Sequence, residues 1–123
     1  MIKFVQCIRR KPALSVAEFR KFFWDDYTGI VQRLAETVKA IRCSEMISLE
    51  VPENLEIMLA RGTGEAFDAM VEISMESTAS LGELAGSAEF QELMTEFRSF
   101  QEKFIDLENS TFFFASEDLL IEP

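Results

Sequence analysis

No histidine occurs anywhere in the 123 residues, and that absence excludes a good deal of chemistry. It removes the commonest general base, the commonest zinc ligand and the usual haem ligand. The two cysteines, Cys7 and Cys43, have no metal or redox spacing such as C-x-x-C. They read as buried thiols on strands, and neither a metal nor a cofactor is expected. Long apolar runs are missing as well, so no segment is long enough to span a bilayer. The N-terminal MIKFVQCIRR has no small-residue cleavage site behind a long apolar region. A cytoplasmic location is therefore expected, with no membrane partner. Basic residues are scarce too: 12 Lys and Arg stand against 22 Asp and Glu, for a net charge of −10. That balance makes nucleic acid and anionic membrane poor partners. The charge is uneven, with nine basic to four acidic residues in 1–42 and three to eighteen in 43–123. Two halves that complement each other within one fold explain this more simply than a binding signal.

What is present is material for a core. Hydrophobic residues make up 48% and aromatic residues 11%, in a length suited to one domain, 1–123. The best-marked stretch is Leu14 to Leu34. Ser15 stands three before Glu18, the spacing of a capping box, and Leu14 and Phe19 hold the two hydrophobic-staple positions. A helix is expected from Val16. At roughly 100° per residue, Val16, Phe19, Phe23, Ile30, Val31, Leu34 and Val38 share one stripe. Tyr27 lies near its middle, Trp24 on its flank and Asp26 at its border. Gly29 weakens a helix by roughly 1 kcal/mol relative to Ala, so a bend is expected there.

Ile2 to Ile8 reads as a strand apolar on both faces, broken by Gln6 and ended by Arg9, Arg10, Lys11 and Pro12. Ile41 to Leu49 alternates as a half-buried edge strand, with Ile41, Cys43, Ile47 and Leu49 on one side. Pro52 opens a short helix or a looser loop that Gly62 and Gly64 end. Phe67 to Met75 is a strand with Glu72 opposite its apolar face. A short helix follows Ser77 or Thr78, and a longer one runs from Ser87 to about Ile105. Ser110 to Ser116 is a last strand with Phe on both faces, and LLIEP trails as an extended arm.

Strand, helix, strand, strand, helix, strand closes most naturally as an α+β, ferredoxin-like antiparallel sheet in the order 4-1-3-2. Strands one and four are apolar on both faces and one helical layer covers only one of them. A second copy of the sheet is the simplest cover, so a homodimer is expected. In this order Cys7 and Cys43 are two strand spacings apart, roughly 9.6 Å, beyond the roughly 7 Å reach of a disulfide.

The segments IKFVQCIRRKPALSVAEFRKFFWDDYTGIV, FDAMVEISMES and FIDLENSTFFFASEDLLI resemble the EthD family of the dimeric α/β-barrel superfamily, over most of the chain outside 50–66. The resemblance implies a homodimer with facing sheets and a small apolar cavity in each subunit between sheet and helices. It implies relatives that include small oxygenases, isomerases and lyases acting on aromatic or lactone compounds, often without a cofactor, and components of ether-degradation operons. Where the family carries histidine and then proline after the tryptophan, this chain has Tyr27 and Gly29. Glu72 matches the family's acidic strand position.

The candidate catalytic residues are Tyr27 and Glu72. Tyr27 would act as a weak acid or hydrogen-bond donor oriented by Asp26; otherwise it is a core tyrosine bonded to a backbone carbonyl or water. Glu72, if buried, would be a base of raised pKa; otherwise it pairs with Arg9 or Arg42. The candidate ligand-binding residues are Gln6, which needs a buried partner, Arg9 for an anionic group, Asp26, and Trp24 as a ring wall with Phe22 and Phe23. Arg9 in a solvated basic run and aromatic rings as plain core are the alternatives. Three functions follow. One is a cofactor-independent lyase, isomerase or oxygenase acting on a small apolar or aromatic catabolic intermediate. The second is a non-catalytic ligand-binding or accessory protein of a degradation pathway, and the third is a dimer with a filled cavity and a structural role.

Overall fold

Ser15 accepts from the Glu18 amide at 3.1 Å while the Glu18 carboxylate accepts from the Ser15 amide at 3.0 Å. This reciprocal cap starts α1 (Val16–Lys21) in the computed structural model, which describes residues 1–122 apart from the side chain of Ser80. The helix then widens into a π-helical turn, Phe22–Tyr27, before α2 (Thr28–Thr37) resumes. The irregularity thus falls before Gly29 rather than at it, and the ring spacing explains why. Phe19, Phe23, Tyr27 and Val31 are all buried at four-residue intervals, and four α-helical residues overshoot one turn by about 40°. A wider turn removes the overshoot and keeps the four in line over the sheet. The Thr28 amide and hydroxyl both donate to the Phe23 carbonyl, the hydroxyl at 3.1 Å.

The strands are β1 (Ile2–Ile8), β2 (Arg42–Ile47), β3 (Ala69–Met75) and β4 (Thr111–Ser116), each antiparallel to its neighbours. Their order, β2-β3-β1-β4, is the ferredoxin-like 4-1-3-2 arrangement. Pro52 opens α3 (Pro52–Arg61), and Gly62 ends it at φ 66, a left-handed position that glycine adopts without strain. After α4 (Ala79–Leu84), the Ser87 hydroxyl caps α5 (Ala88–Phe104) by accepting from the Phe90 amide at 3.1 Å.

Directly opposed residues of antiparallel strands point to the same side, so the register sorts the side chains. Phe4, Gln6 and Ile8 of β1, Val71 and Ile73 of β3, and Cys43, Glu45 and Ile47 of β2 share one face. There Ile8, Val71 and Ile73 join Phe19, Val31, Phe97 and Phe104 in the core. Lys3, Val5 and Cys7 share the other face with Glu72, Met70 and Phe113. On it Val5 and Cys7 are buried, while Phe113 is 43% exposed. Cys7 is buried as expected but Cys43 is exposed; both are free, lie on strands separated by β3 and face opposite sides. The C-terminal arm leaves β4 with Leu119, Leu120 and Ile121 exposed; its last residue, Pro123, lies outside the described residues.

Candidate functional site

Gln6 interrupts β1 on the helix-facing side, and the π-helical turn delivers Tyr27 directly over it. The Tyr27 hydroxyl donates to Gln6 Oε1 at 2.7 Å and accepts from Gln101 Nε2 of α5 at 3.0 Å. All three side chains are buried, so a polar chain runs from sheet to helix layer inside apolar surroundings. The Tyr27 ring meets Phe97 and Phe104 edge-on, with centroids at 5.2 and 5.1 Å. Burial pushes the phenol well above its ordinary value. The bonds to Gln101 and Gln6 oppose this, and the charge of Glu45 adds to it. Tyr27 is therefore a neutral donor at any physiological pH.

Glu45 projects from β2 into the same layer. Its Oε2 is buried without a hydrogen-bond partner. Desolvation raises its carboxyl above the ordinary carboxylate range, opposed by a side-chain bond with Thr28. That opposition is weak, because the single proton of the Thr28 hydroxyl already goes to the Phe23 carbonyl.

The expected site residues divide. Tyr27 and Gln6 are brought together, and the partner Gln6 requires is the tyrosine itself. Glu72 is on the opposite face of the sheet, where Lys3 Nζ holds it at 3.0 Å and holds Glu117 at 2.6 Å. Its ion-pair partner is Lys3 rather than Arg9 or Arg42. Asp26 is exposed and does not orient Tyr27, whose partners are the two amides. The ring wall does not form: Trp24 is exposed and edge-on to Phe23, whereas Phe22 stacks on Phe104. Arg9 is not simply solvated. It donates to the carbonyls of Glu65 and Ala66 at 3.1 and 3.3 Å, and its guanidinium lies over the Phe67 ring.

Gln101 and Glu45 were not among the expected residues, yet both had a signal. Gln101 sits four after Phe97 and three before Phe104, on the apolar stripe of its helix. Glu45 occupies the apolar phase of an alternating strand, between Cys43 and Ile47.

A separate apolar cavity of about 160 Å³ opens between sheet and helices, lined by residues that include Phe4, Leu34, Ile73, Phe90 and Met94. Leu34 is seven residues beyond Tyr27, about 10 Å along a helix, and none of Gln6, Arg9, Trp24, Asp26, Tyr27 and Glu72 lines this space. Among the described residues, no group of three or more His, Cys, Asp or Glu is placed to hold a metal.

No family model matches the sequence, and no curated protein matches it. Solved structures match in shape. An ethyl tert-butyl ether (EthD) family protein from Bacillus halodurans has a TM-score of 0.62 at 14% identity, over 96% of this chain and 99% of that one. A dimeric protein of unknown function and ferredoxin-like fold from Bacteroides fragilis has 0.61 at 7% identity, over 94% and 95%. A protein from Arabidopsis thaliana has 0.57 at 12% identity, over 99% and 100%. The chain shares the ferredoxin-like fold of these proteins. An EthD family member is thus among its structural neighbours, and at such identities the likeness is one of fold.

Proposed function

We propose that this chain is a small-molecule-binding protein that works as a homodimer and takes a neutral single-ring aromatic or short aliphatic compound into the apolar cavity. One observation carries the reading. The cavity has about 160 Å³ and presents no polar surface. An enclosed apolar void of roughly 150 Å³ accepts a benzene-sized guest, and this space, open on one side, has a similar volume. No titratable group lines the space, which favours holding a ligand over transforming it, as in an accessory protein of a degradation pathway. The homodimer is supported by the second sheet face, where Phe113 is 43% exposed beside buried Val5 and Cys7, and by the Bacteroides fragilis neighbour, described as dimeric. Among the described residues no helix is long and apolar enough to cross a membrane; the cytoplasmic location belongs to this proposal.

A catalytic reading, a cofactor-independent lyase, isomerase or oxygenase, has one observation in its favour. Glu45 keeps a buried carboxylate oxygen without a hydrogen-bond partner, so Glu45 rather than Glu72 would exchange protons with a substrate.

Calorimetric titration with indole or benzene tests the binding reading. Wild type should take up about one equivalent per chain, and Met94→Trp, which fills the cavity, should bind none while unfolding cooperatively. A wild type that binds no neutral single-ring compound even near its solubility limit would overturn it.

A further inference from the structure

The walls of the apolar cavity differ in how firmly they are held. Strands β1 and β3, which carry Phe4 and Ile73, each have a hydrogen-bonded strand on both sides. Leu34 and Val38, at the end of α2, are buried, and Phe90 and Met94 belong to the 17-residue α5. The remaining helical wall is Leu81, from α4, a helix of six residues.

Sequence makes α4 weak. A helix this short is marginal in water without tertiary support. Gly82, in its middle, lowers its propensity relative to alanine. Thr78 at its start makes no side-chain cap bond, whereas Ser87 caps α5. Its apolar hold on the core is two half-buried leucines, Leu81 and Leu84, and Ala79, Gly82, Glu83, Ala85 and Gly86 are exposed. Among the described residues its backbone hydrogen bonds stay local: the Gly82 amide donates to the Thr78 carbonyl at 3.3 Å, and the Ala85 amide to the Leu81 carbonyl at 2.9 Å. Packing does not impose this weakness. A Cβ added at Gly82 would meet nothing within 4 Å, and the backbone there is not left-handed.

We propose that α4 is the gate of the cavity: it unwinds between Ser77 and Gly86 to admit a ligand and re-forms with Leu81 against it. The proposal rests on the binding reading and adds how the ligand is exchanged. Segments with little buried apolar surface open locally, well below the free energy of global unfolding. Release of Leu81 removes one wall of a space that is already open on one side, where Phe114 of β4 is 53% exposed. A ligand that packs on Leu81 binds the wound helix better than the unwound one, so binding shifts the gate toward closure.

Hydrogen exchange and ligand kinetics of the full chain test this, with benzene as the probe. In the free protein the Gly82 and Ala85 amides should exchange roughly tenfold or more faster than those in the middle of α5, and they should slow when benzene is bound. Leu84 packs on the core outside the cavity lining, so Leu84→Ala loosens α4 without reshaping the site, and Gly82→Ala firms it. Association and dissociation rates, from NMR line shapes, should both rise roughly fivefold in Leu84→Ala and both fall roughly fivefold in Gly82→Ala, with Kd nearly unchanged. A helix with a structural role alone would leave both rates where they are. Amides of α4 that exchange only with global unfolding, or rates that stay put in both variants, overturn the gate and leave the binding reading standing. A wild type that takes up neither benzene nor indole overturns the binding reading and the gate with it.

Discussion

The Tyr27 hydroxyl donates to Gln6 Oε1 at 2.7 Å, joining the end of a π-helical turn to the strand beneath it in the core. Tyr27→Phe leaves the Gln6 oxygen without its donor and Gln101 Nε2 without its acceptor. The expected loss is about 1–3 kcal/mol of unfolding free energy, read from urea denaturation. Replacing all three together, Gln6→Met, Tyr27→Phe and Gln101→Met, should recover part of that loss, because no unpaired group then remains.

Tyr27 is the only tyrosine in the chain, so tyrosinate absorbance reports it alone. Burial raises its folded pKa above the ordinary 10.0. Above pH 10.0 the unfolded chain releases the proton first, so stability falls as pH rises through that point. Tyrosinate should appear together with alkaline unfolding, as one transition. A phenol that titrates near its ordinary value in the folded protein would show that the ring is open to water.

Glu45 has the same sign at lower pH. Its folded pKa is raised above 4.5 by desolvation, so the folded state keeps the proton longer and stability declines as pH rises from 4.5 through the folded value. Glu45→Gln removes that decline. The variant's advantage over wild type should be small in acid and grow toward neutral pH, measured as the difference in urea midpoints. A constant difference would place the carboxylate in water.

Ser15→Ala removes the acceptor of the Glu18 amide and should cost about 0.5–2 kcal/mol. The Glu18 carboxyl is held below its ordinary range by its bonds to the Ser15 amide and hydroxyl. In the variant its pKa should move up, as followed by carboxyl NMR titration; no movement would mean that the amide bond alone sets it.

Second-face residues illustrate why charge pairing was harder to read than strand position. Glu72 was visible as a carboxylate opposite an apolar face, but its partner depends on β1 lying directly beside β3, which sets Lys3 within 3.0 Å. Arg42 shares that face, and its charge acts on Glu117. Arg9 is taken up by the loop at Glu65 and Ala66.

By itself the sequence determined the elements and their order: the cap at Ser15 and Glu18, the strand-helix alternation that closes as 4-1-3-2, the polar break at Gln6, and the glycine stop at Gly62. These are set by near neighbours along the chain and by two periods, 2 and 3.6, that need no partner to be read. Tertiary structure alone decided the rest. It set Tyr27 and Glu72 on opposite faces of the sheet, joined Gln101 to Tyr27 across 74 positions, and left an apolar space away from both. Such relations follow from register and from the angular drift of a long helix, where a slip of one residue reverses every side chain.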